Sequence, residues 1–313
     1  MFAIDDPSAV AVMPTPEAAG TPGWWTEGNP ALGQTATLMR ASWFNALQQE
    51  LLNILTAAGV TPSKTAYNQL LASLNLLYKP GRLLRKLIYT RVAGVQNVSV
   101  NGGSNTTTGA GTYVPGASMS FAIAKVQAGG GAGGGPSLPS AGNVTLGSPG
   151  GAGAYGESLI LAATIGASQV VTVGLGGSKV VGGSGNAGGT SSLGSLLSCA
   201  GGIGGGLLAN QVPPSVSGNG SNVVATGANL FQIKGTGSTA TFSVTAAANG
   251  GLGGCGGNSI FGGGGPGAAG NGAGIDAVNF GAGGSGAVIN NGFGGSTSGG
   301  AGMDGIVIIE EYA

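Results

Sequence analysis

Glycine returns every third residue in four separate stretches of this chain: at 147, 150, 153 and 156; at 182, 185 and 188; at 264, 267 and 270; and at 299, 302 and 305. From Gly250 to Gly257 the run GGLGGCGG keeps the same period with doubled glycine. Three residues per turn is the period of the polyproline II helix, which makes no internal backbone hydrogen bonds. A buried bundle of such helices must bond helix to helix, and close approach needs bare Cα atoms on the contacting faces. Collagen shares the period but not the pattern. The phase resets after each tract, and proline totals only 14. A flexible linker would lack the Leu, Val, Ile and Phe interleaved here. The expectation is a packed array of extended glycine helices beside β-strands, the alternative being a disordered low-complexity segment.

The glycine is unevenly placed. Residues 1–128 hold 12 of the 69 glycines and residues 129–313 hold the other 57, which marks two kinds of structure in one chain. The second part carries seven charged side chains: Glu157, Lys179, Lys234, Asp276, Asp304, Glu310 and Glu311. Ten basic residues balance ten acidic ones, so no electrostatic case exists for nucleic acid or an anionic membrane as partner. The chain has no histidine, which removes Ser-His-Asp, Cys-His and His-metal chemistry together. Cys199 and Cys255 cannot make a disulfide scaffold or a four-ligand zinc site. No apolar run reaches a membrane span, and the opening MFAIDDPSAV is acidic, unlike a signal peptide.

Residues 1–40 are rich in Pro and small residues and read as an extended arm, with Trp24 and Trp25 for packing on a neighbour, the alternative being a disordered leader. Residues 41–80 read as a helical hairpin. Phe44, Leu47, Leu51, Leu55 and Ala58 form the first stripe, with Ser42 as cap and Gly59 as left-handed stop. Thr61-Pro62 reads as a second start, leading to a stripe of Tyr67, Leu70, Leu71, Leu74 and Leu77 that ends before Pro80. So small a hairpin needs another copy or a partner to pack on, the alternative being that it caps the downstream domain. Residues 81–111 read as linker or strand, and the basic run RLLRKLIYTR (82–91) as a solvated strand.

Residues 112–313 read as a glycine-rich domain, mainly β. Met119, Phe121 and Ile123 alternate with small residues as a half-buried strand, and 158–165 with 168–173 read as a hairpin turning at Gly166-Ala167. Further strands are expected at 222–226, 229–233, 239–246, 287–290 and 305–312.

The opening IDDPSAVAVMPTPEAAGTPGWWTEGNP and the segment WFNALQQELLNILTAAGVTPSKTAYNQLL resemble the N-terminal region of tail-fibre proteins from tailed bacteriophages. The remainder resembles the glycine-rich domain of such fibres, through TYVPGASMSFAIAKVQAGGGAGGG, VTVGLGG, GGTSSLGSLLSCAGG, GGNSIFGGGG and the ending GGAGMDGIVIIEEY. The resemblance implies a virion protein, assembled in the host cytoplasm as a homotrimer. Its N-terminal region would join tail or baseplate proteins, and its far domain would bind a bacterial surface receptor, either a polysaccharide or an outer-membrane protein. It implies a β-sandwich-like domain with polyproline II tracts whose connecting loops carry the receptor contacts. A purely structural tail or surface protein is the alternative.

Loop-tip residues interrupting the glycine tracts are therefore the receptor-binding candidates: Tyr155, Asn186, Asn258, Phe261, Asn271, Phe280, Asn290, Asn291 and Phe293. For Phe261, Phe280 and Phe293 the competing expectation is a place in the core. The glycine-poor stretch 207–222 is a further variable loop. Trp24, Trp25, Trp43 and Phe44 are the candidates for tail attachment. Gly281–Gly286 (GAGGSG) fits a nucleotide-loop pattern, but no amphipathic helix follows it. Asp276, Asp304, Glu310 and Glu311 are too scattered to nominate a glycosidase pair and read as surface or strand-end acids. The cysteines read as small buried thiols. The expectation is a non-enzymatic protein with no metal and no cofactor.

Overall fold

The computed structural model describes residues 2–78, 81–218 and 220–313, and the chain divides into two compact units, Met1–Arg82 and Leu83–Ala313. In the first unit, α1 (Ala41–Ala57) ends in paired bonds from Gly59 N to the Thr56 carbonyl (3.0 Å) and from Val60 N to the Leu55 carbonyl (2.9 Å). Gly59 sits at φ +68°, the left-handed stop that only glycine takes without strain. The expected Ser42 cap is corrected. The N-cap falls two residues earlier, on extended Arg40, and no side chain caps the helix there.

The second start is corrected too. Helix α2 (Gln69–Tyr78) begins eight residues beyond Thr61. The buried Gln69 amide donates to the Thr61 carbonyl (2.8 Å) and accepts from Ser63 N (3.0 Å), so the Thr61-Pro62 segment forms a stapled turn. Pro80, the expected stop, lies outside the described residues. The arm before α1 is extended apart from short turns at Asp6–Ala9 and Pro30–Leu32, and Ile4 N donates to Gln48 on α1 (2.8 Å). Most apolar side chains of this unit are exposed, among them Trp24, Leu47, Leu71 and Leu77; Leu55 is buried.

The second unit is mainly β. In chain order its strands are β1 (Leu83–Val92), β2 (Val95–Val100), β3 (Thr112–Tyr113), β4 (Phe121–Gln127), β5 (Val144–Gly147), β6 (Tyr155–Leu161), β7 (Gln169–Thr172), β8 (Ser191–Leu193) and β9 (Leu197–Cys199). They continue with β10 (Leu207–Gln211), β11 (Ser215–Ser217), β12 (Ala225–Thr226), β13 (Phe231–Ile233), β14 (Thr241–Ser243), β15 (Gly251–Leu252), β16 (Val288–Asn290) and β17 (Ile306–Tyr312). A six-stranded antiparallel sheet runs β13-β6-β4-β17-β1-β2 and faces a second of order β12-β9-β8-β7-β3. Tyr89, Ala122, Ala124, Val126, Leu193, Leu197 and Val307 fill the space between them. Two three-stranded sheets, β10-β5-β16 and β11-β14-β15, stand apart.

Two expectations about this sandwich are corrected. The segments 158–165 and 168–173 are not a hairpin. A helical turn, α3 (Ala162–Ile165), carries the chain from β6 in the first sheet to β7 in the second. On β4 the buried side chains are Ala122, Ala124 and Val126, while Phe121 and Ile123 lie on the outer, half-exposed face. The facing sheets come close enough that methyl groups fill the gap, so size alternation pointed the wrong way. Asn219 of the stretch 207–222 is outside the described residues; Leu207–Gln211 and Ser215–Ser217 of that stretch are strands.

The sandwich strands continue directly into glycine tracts, and one tract organises the rest. Residues 127–136 are all buried, and nothing larger than alanine occurs in 128–135. Its amides leave in a strict three-residue rotation. Those of Ala128, Gly131 and Gly134 donate to the carbonyls of Ala154, Gly151 and Ser148. Those of Gly129, Ala132 and Gly135 donate to Gly189, Asn186 and Gly183, and those of Gly130 and Gly133 to Met303 and Gly300, all at 2.8–3.1 Å. Partner numbers fall by three as donor numbers rise by three, so these three neighbours run antiparallel to the tract. Its carbonyls serve three others: Gly202 and Gly205 donate to Gly129 and Ala132, Gly177 to Gly130, and Gly284 to Gly131.

The six neighbours also bond to one another in a closed ring. Gly151 donates to Ile203, Gly188 to Gly202, Gly189 to Leu175, Gly302 to Gly177, Gly300 to Ser285 and Gly150 to Gly284. The tract 147–154 repeats the device. Its residues 147, 150 and 153 donate to 287, 284 and 281, while 148, 151 and 154 donate to 206, 203 and 200. A Cβ placed on Gly131 would overlap the Ile203 carbonyl deep inside van der Waals contact. Substituting Gly131→Ala is expected to destabilise by about 3 kcal/mol or more, whereas Gly206→Ala, where a Cβ meets nothing within 4 Å, should stay within about 0.5 kcal/mol. Denaturant unfolding of both variants checks this.

Most charges on the six-stranded sheet are paired. On β1, Lys86 meets Glu310 of β17 at 3.1 Å, and Lys125 of β4 reaches the same carboxylate at 3.0 Å. Arg85 binds Glu311, which is 1% exposed and also accepts from Tyr113 Oη (2.9 Å) and Gly116 N (3.2 Å). The surface reading of Glu311 is therefore corrected: four donors replace its water. Burial opposes the charge on Glu310, but bonds from Lys125 and Lys86 outweigh it and hold the carboxyl below its ordinary 4.5. A carboxyl depressed by folding stabilises above its unfolded pKa, and that contribution is lost as pH falls below about 4.5. Glu310→Gln should cost about 1 kcal/mol at pH 7 and flatten the acid limb of the stability curve measured by urea unfolding.

Candidate functional site

Antiparallel register sets side chains in rows across the outer face of the six-stranded sheet, because directly paired residues share a face. At the end adjoining the glycine bundle, Ile233, Tyr155, Gln127 and Ile306 make one row. Phe231, Glu157, Lys125 and Ile308 make the next. The loop 256–265 folds over this end. Ser259 and Gly262 exchange backbone bonds at 3.0 and 3.2 Å, giving a tight turn. Asn258 Oδ1 accepts from Gly264 N (2.9 Å), and Asn279 Nδ2 donates to the Gly263 carbonyl (2.8 Å).

Four aromatic rings join sheet to loop, each pair edge to face. Phe231 and Tyr155 lie 6.4 Å apart, Tyr155 and Phe261 6.2 Å, and Phe261 and Phe280 6.2 Å. The Tyr155 hydroxyl donates to Glu157; burial first, then this carboxylate, pushes its pKa up, so it stays a neutral donor. Under the turn lies a cavity of about 150 Å³. Gln127, Tyr155 and Ile233 contribute the sheet side, and Asn258, Ser259 and Ile260 the loop side.

The nine receptor-binding candidates fall in three places. Tyr155, Asn258, Phe261 and Phe280 come together here. Asn271, Asn290, Asn291 and Phe293 form a second group. In it Asn271 Nδ2 donates to Asn290 Oδ1 (2.7 Å), which also takes Gly292 N (3.0 Å), while Asn291 Nδ2 donates to the Pro139 carbonyl (2.8 Å). Asn186 stands alone and exposed, its amide on Ser178 (2.7 Å). Two positions are corrected: Tyr155 and Asn290 are strand residues, 3% and 5% exposed, not loop tips. The Tyr155 ring is held by its aromatic neighbours, and the Asn290 side chain caps the turn Asn291–Phe293. Gln127, Phe231 and Glu157 went unnoticed in the sequence, since only strand register brings them beside Tyr155.

Elsewhere, Asp304 accepts Gly176 N (2.7 Å) and Asp276 accepts Ala301 N (2.8 Å), so both acids serve the glycine tracts. Gly281–Gly286 is buried in the bundle. Cys199 is buried, and burial pushes its thiol up to about 12. Cys255 is corrected to exposed, its sulfur accepting Gly267 N (3.3 Å); both thiols are free. Among the described residues no cluster of three His, Cys, Asp or Glu could hold a metal ion, and no helix is long and apolar enough to cross a membrane. In the first unit Trp25 meets Trp43 edge to face at 5.5 Å, Trp43 meets Phe44 at 5.3 Å, and Trp24 is 95% exposed.

Over 88 residues the chain is 40% identical to Tail fiber protein S of Escherichia phage Mu. That stretch makes up 28% of this chain and 17% of the phage Mu protein. No protein-family model matches the chain. Removing the central ring by Phe261→Ala should cost about 1–3 kcal/mol, less than a fully buried phenylalanine. Loop 256–265 should then lose amide-exchange protection before the bundle does, which hydrogen exchange resolves residue by residue.

Proposed function

We propose that this chain is a tail-fibre protein of a tailed bacteriophage, acting by binding and not by catalysis. Residues 1–82 join tail or baseplate proteins, and the glycine-rich unit binds a receptor on the bacterial surface. The observation that carries the reading is the 40% identity to a phage tail fibre protein. The structure adds support, because the bundle is densely hydrogen-bonded and carries side chains such as Phe261 and Phe293 on its connecting turns.

In this reading the tracts are polyproline II helices. Hydrogen bonds that leave each tract in a three-residue rotation support that geometry. The exposed apolar stripe of the helical hairpin, with Leu47, Leu71 and Leu77, supports assembly as a homotrimer on tail proteins. Two free thiols accord with assembly in the reducing host cytoplasm before the protein joins the virion. Acids engaged with lysines, arginine and backbone amides accord with a binding role.

Purified chain is expected to decorate the bacterium that the parent particle infects and to slow phage adsorption in proportion to its concentration. Chain that enters particles but decorates no cells would favour the purely structural alternative.

A further inference from the structure

Asparagine is followed by glycine at 101, 219, 249, 271 and 291, and of these Asn219 lies outside the described residues. In such a pair the glycine nitrogen can attack the asparagine side-chain carbonyl, because glycine carries no side chain to block the approach. The attack needs a nitrogen with no hydrogen bond of its own and a leaving amide that nothing holds. It is helped by a donor on the oxygen that takes up negative charge.

At three of the described pairs these needs conflict with the fold. Gly250 N donates to the Ala247 carbonyl (2.9 Å), Gly272 N to the Val288 carbonyl (3.0 Å) and Gly292 N to Asn290 Oδ1 (3.0 Å). Two of the leaving amides are engaged as well: Asn271 Nδ2 donates to Asn290 Oδ1 (2.7 Å) and Asn291 Nδ2 to the Pro139 carbonyl (2.8 Å).

Asn101 differs at each point. It follows β2 in a turn closed by Gly103 N on the Val100 carbonyl (2.9 Å), with Asn101 at φ +50° and Gly102 at φ +77°. Both residues are exposed, and neither Gly102 N nor Asn101 Nδ2 has a hydrogen-bond partner among the described residues. A Cβ placed on Gly102 would meet nothing within 4 Å, so the space around the attacking nitrogen is open. Asn101 Oδ1 accepts from Lys86 N of β1 (2.8 Å), and a backbone N–H can only donate, which fixes the amide's orientation. That donor is aimed at the oxygen on which charge develops.

We propose that Asn101 is a modification site, at which the folded chain deamidates by its own chemistry. Gly102 N gives up its proton to solvent base and forms a bond to Asn101 Cγ. The Cγ–Nδ2 bond breaks, and Nδ2 takes a proton from water and leaves as ammonia, giving a succinimide. Water then adds at either imide carbonyl and opens the ring to aspartate or isoaspartate. One water is consumed and one ammonia released, with no oxidant or reductant. The product adds a negative charge to a chain whose ten basic and ten acidic residues balance. It does so beside Lys86, whose ammonium already meets Glu310 at 3.1 Å. This chemistry is independent of the receptor-binding reading.

The test is peptide mapping by mass spectrometry on the full chain held in mildly alkaline buffer, folded and in urea, with fragmentation that separates aspartate from isoaspartate. In the folded chain, acid at 101 should accumulate at least about tenfold faster than at 249, 271 or 291. In urea the four rates should draw together, because the hydrogen bonds that hold Gly250, Gly272 and Gly292 are gone. Faster conversion at 249, 271 or 291 in the folded chain would overturn the proposal. So would an unchanged ranking in urea, since the fold would then not be selecting the site. Conversion at 101 that slows more than about tenfold on folding would show that the turn and Lys86 N protect the amide, and would overturn it equally.

Discussion

Direct hydrogen bonding between neighbouring backbones, with no side chain in between, is the constraint on which the second unit depends. Facing sheets in an ordinary sandwich stand about 10 Å apart because side chains fill the gap. Here the strands of both layers run on into tracts where a Cβ would strike a neighbouring carbonyl, and the layers close to hydrogen-bonding distance. Ordering glycine costs about 0.5–1 kcal/mol per residue more than ordering alanine. Each cross-tract bond returns about 1 kcal/mol net, and each also satisfies a buried amide that would otherwise be a liability. The arrangement therefore holds only when the ring around 128–135 is complete.

That dependence explains how function is separated from stability in this unit. Buried backbone in the bundle leaves the side chains of its turns free for other work. The candidate site sits where β4 and β6 meet the bundle, so its floor is fixed by strand register and its roof by a turn bonded to Asn258 and Asn279. Such a seat keeps Tyr155, Phe261 and Gln127 in place without a conventional side-chain core beneath the loop. Lys86, Lys125 and Arg85 face Glu310 and Glu311 on the sandwich, and Glu157 opposite Lys125 brings the charges to balance, which leaves this region without a strong field of its own.

The first unit obeys the opposite rule. Its helices have ordinary apolar stripes and a glycine stop, yet most of the stripe remains exposed and Leu55 is buried. Side-chain burial is the force available to a helical hairpin, and one copy of this hairpin has little of it. Its stability is thus tied to what it packs against, in keeping with a role at a junction.

The three-residue glycine period, the Gly59 helix stop, the mainly β character and the terminal strand through Tyr312 are all local properties, and the sequence by itself determined them. Local chemistry also marked Tyr155, Asn258, Phe261 and Phe280, because large or amide side chains are conspicuous among glycines. Tertiary structure alone decided which tract would be central, which face of β4 would be buried and that Ala162–Ile165 would cross between sheets. It alone placed Gln127 beside Tyr155 and buried Glu311 against Arg85. The physical reason is the same each time. A glycine tract offers identical donors and acceptors to any neighbour, so its partners are chosen by the strands that flank it, and strand pairing is a long-range matter that no window of sequence contains.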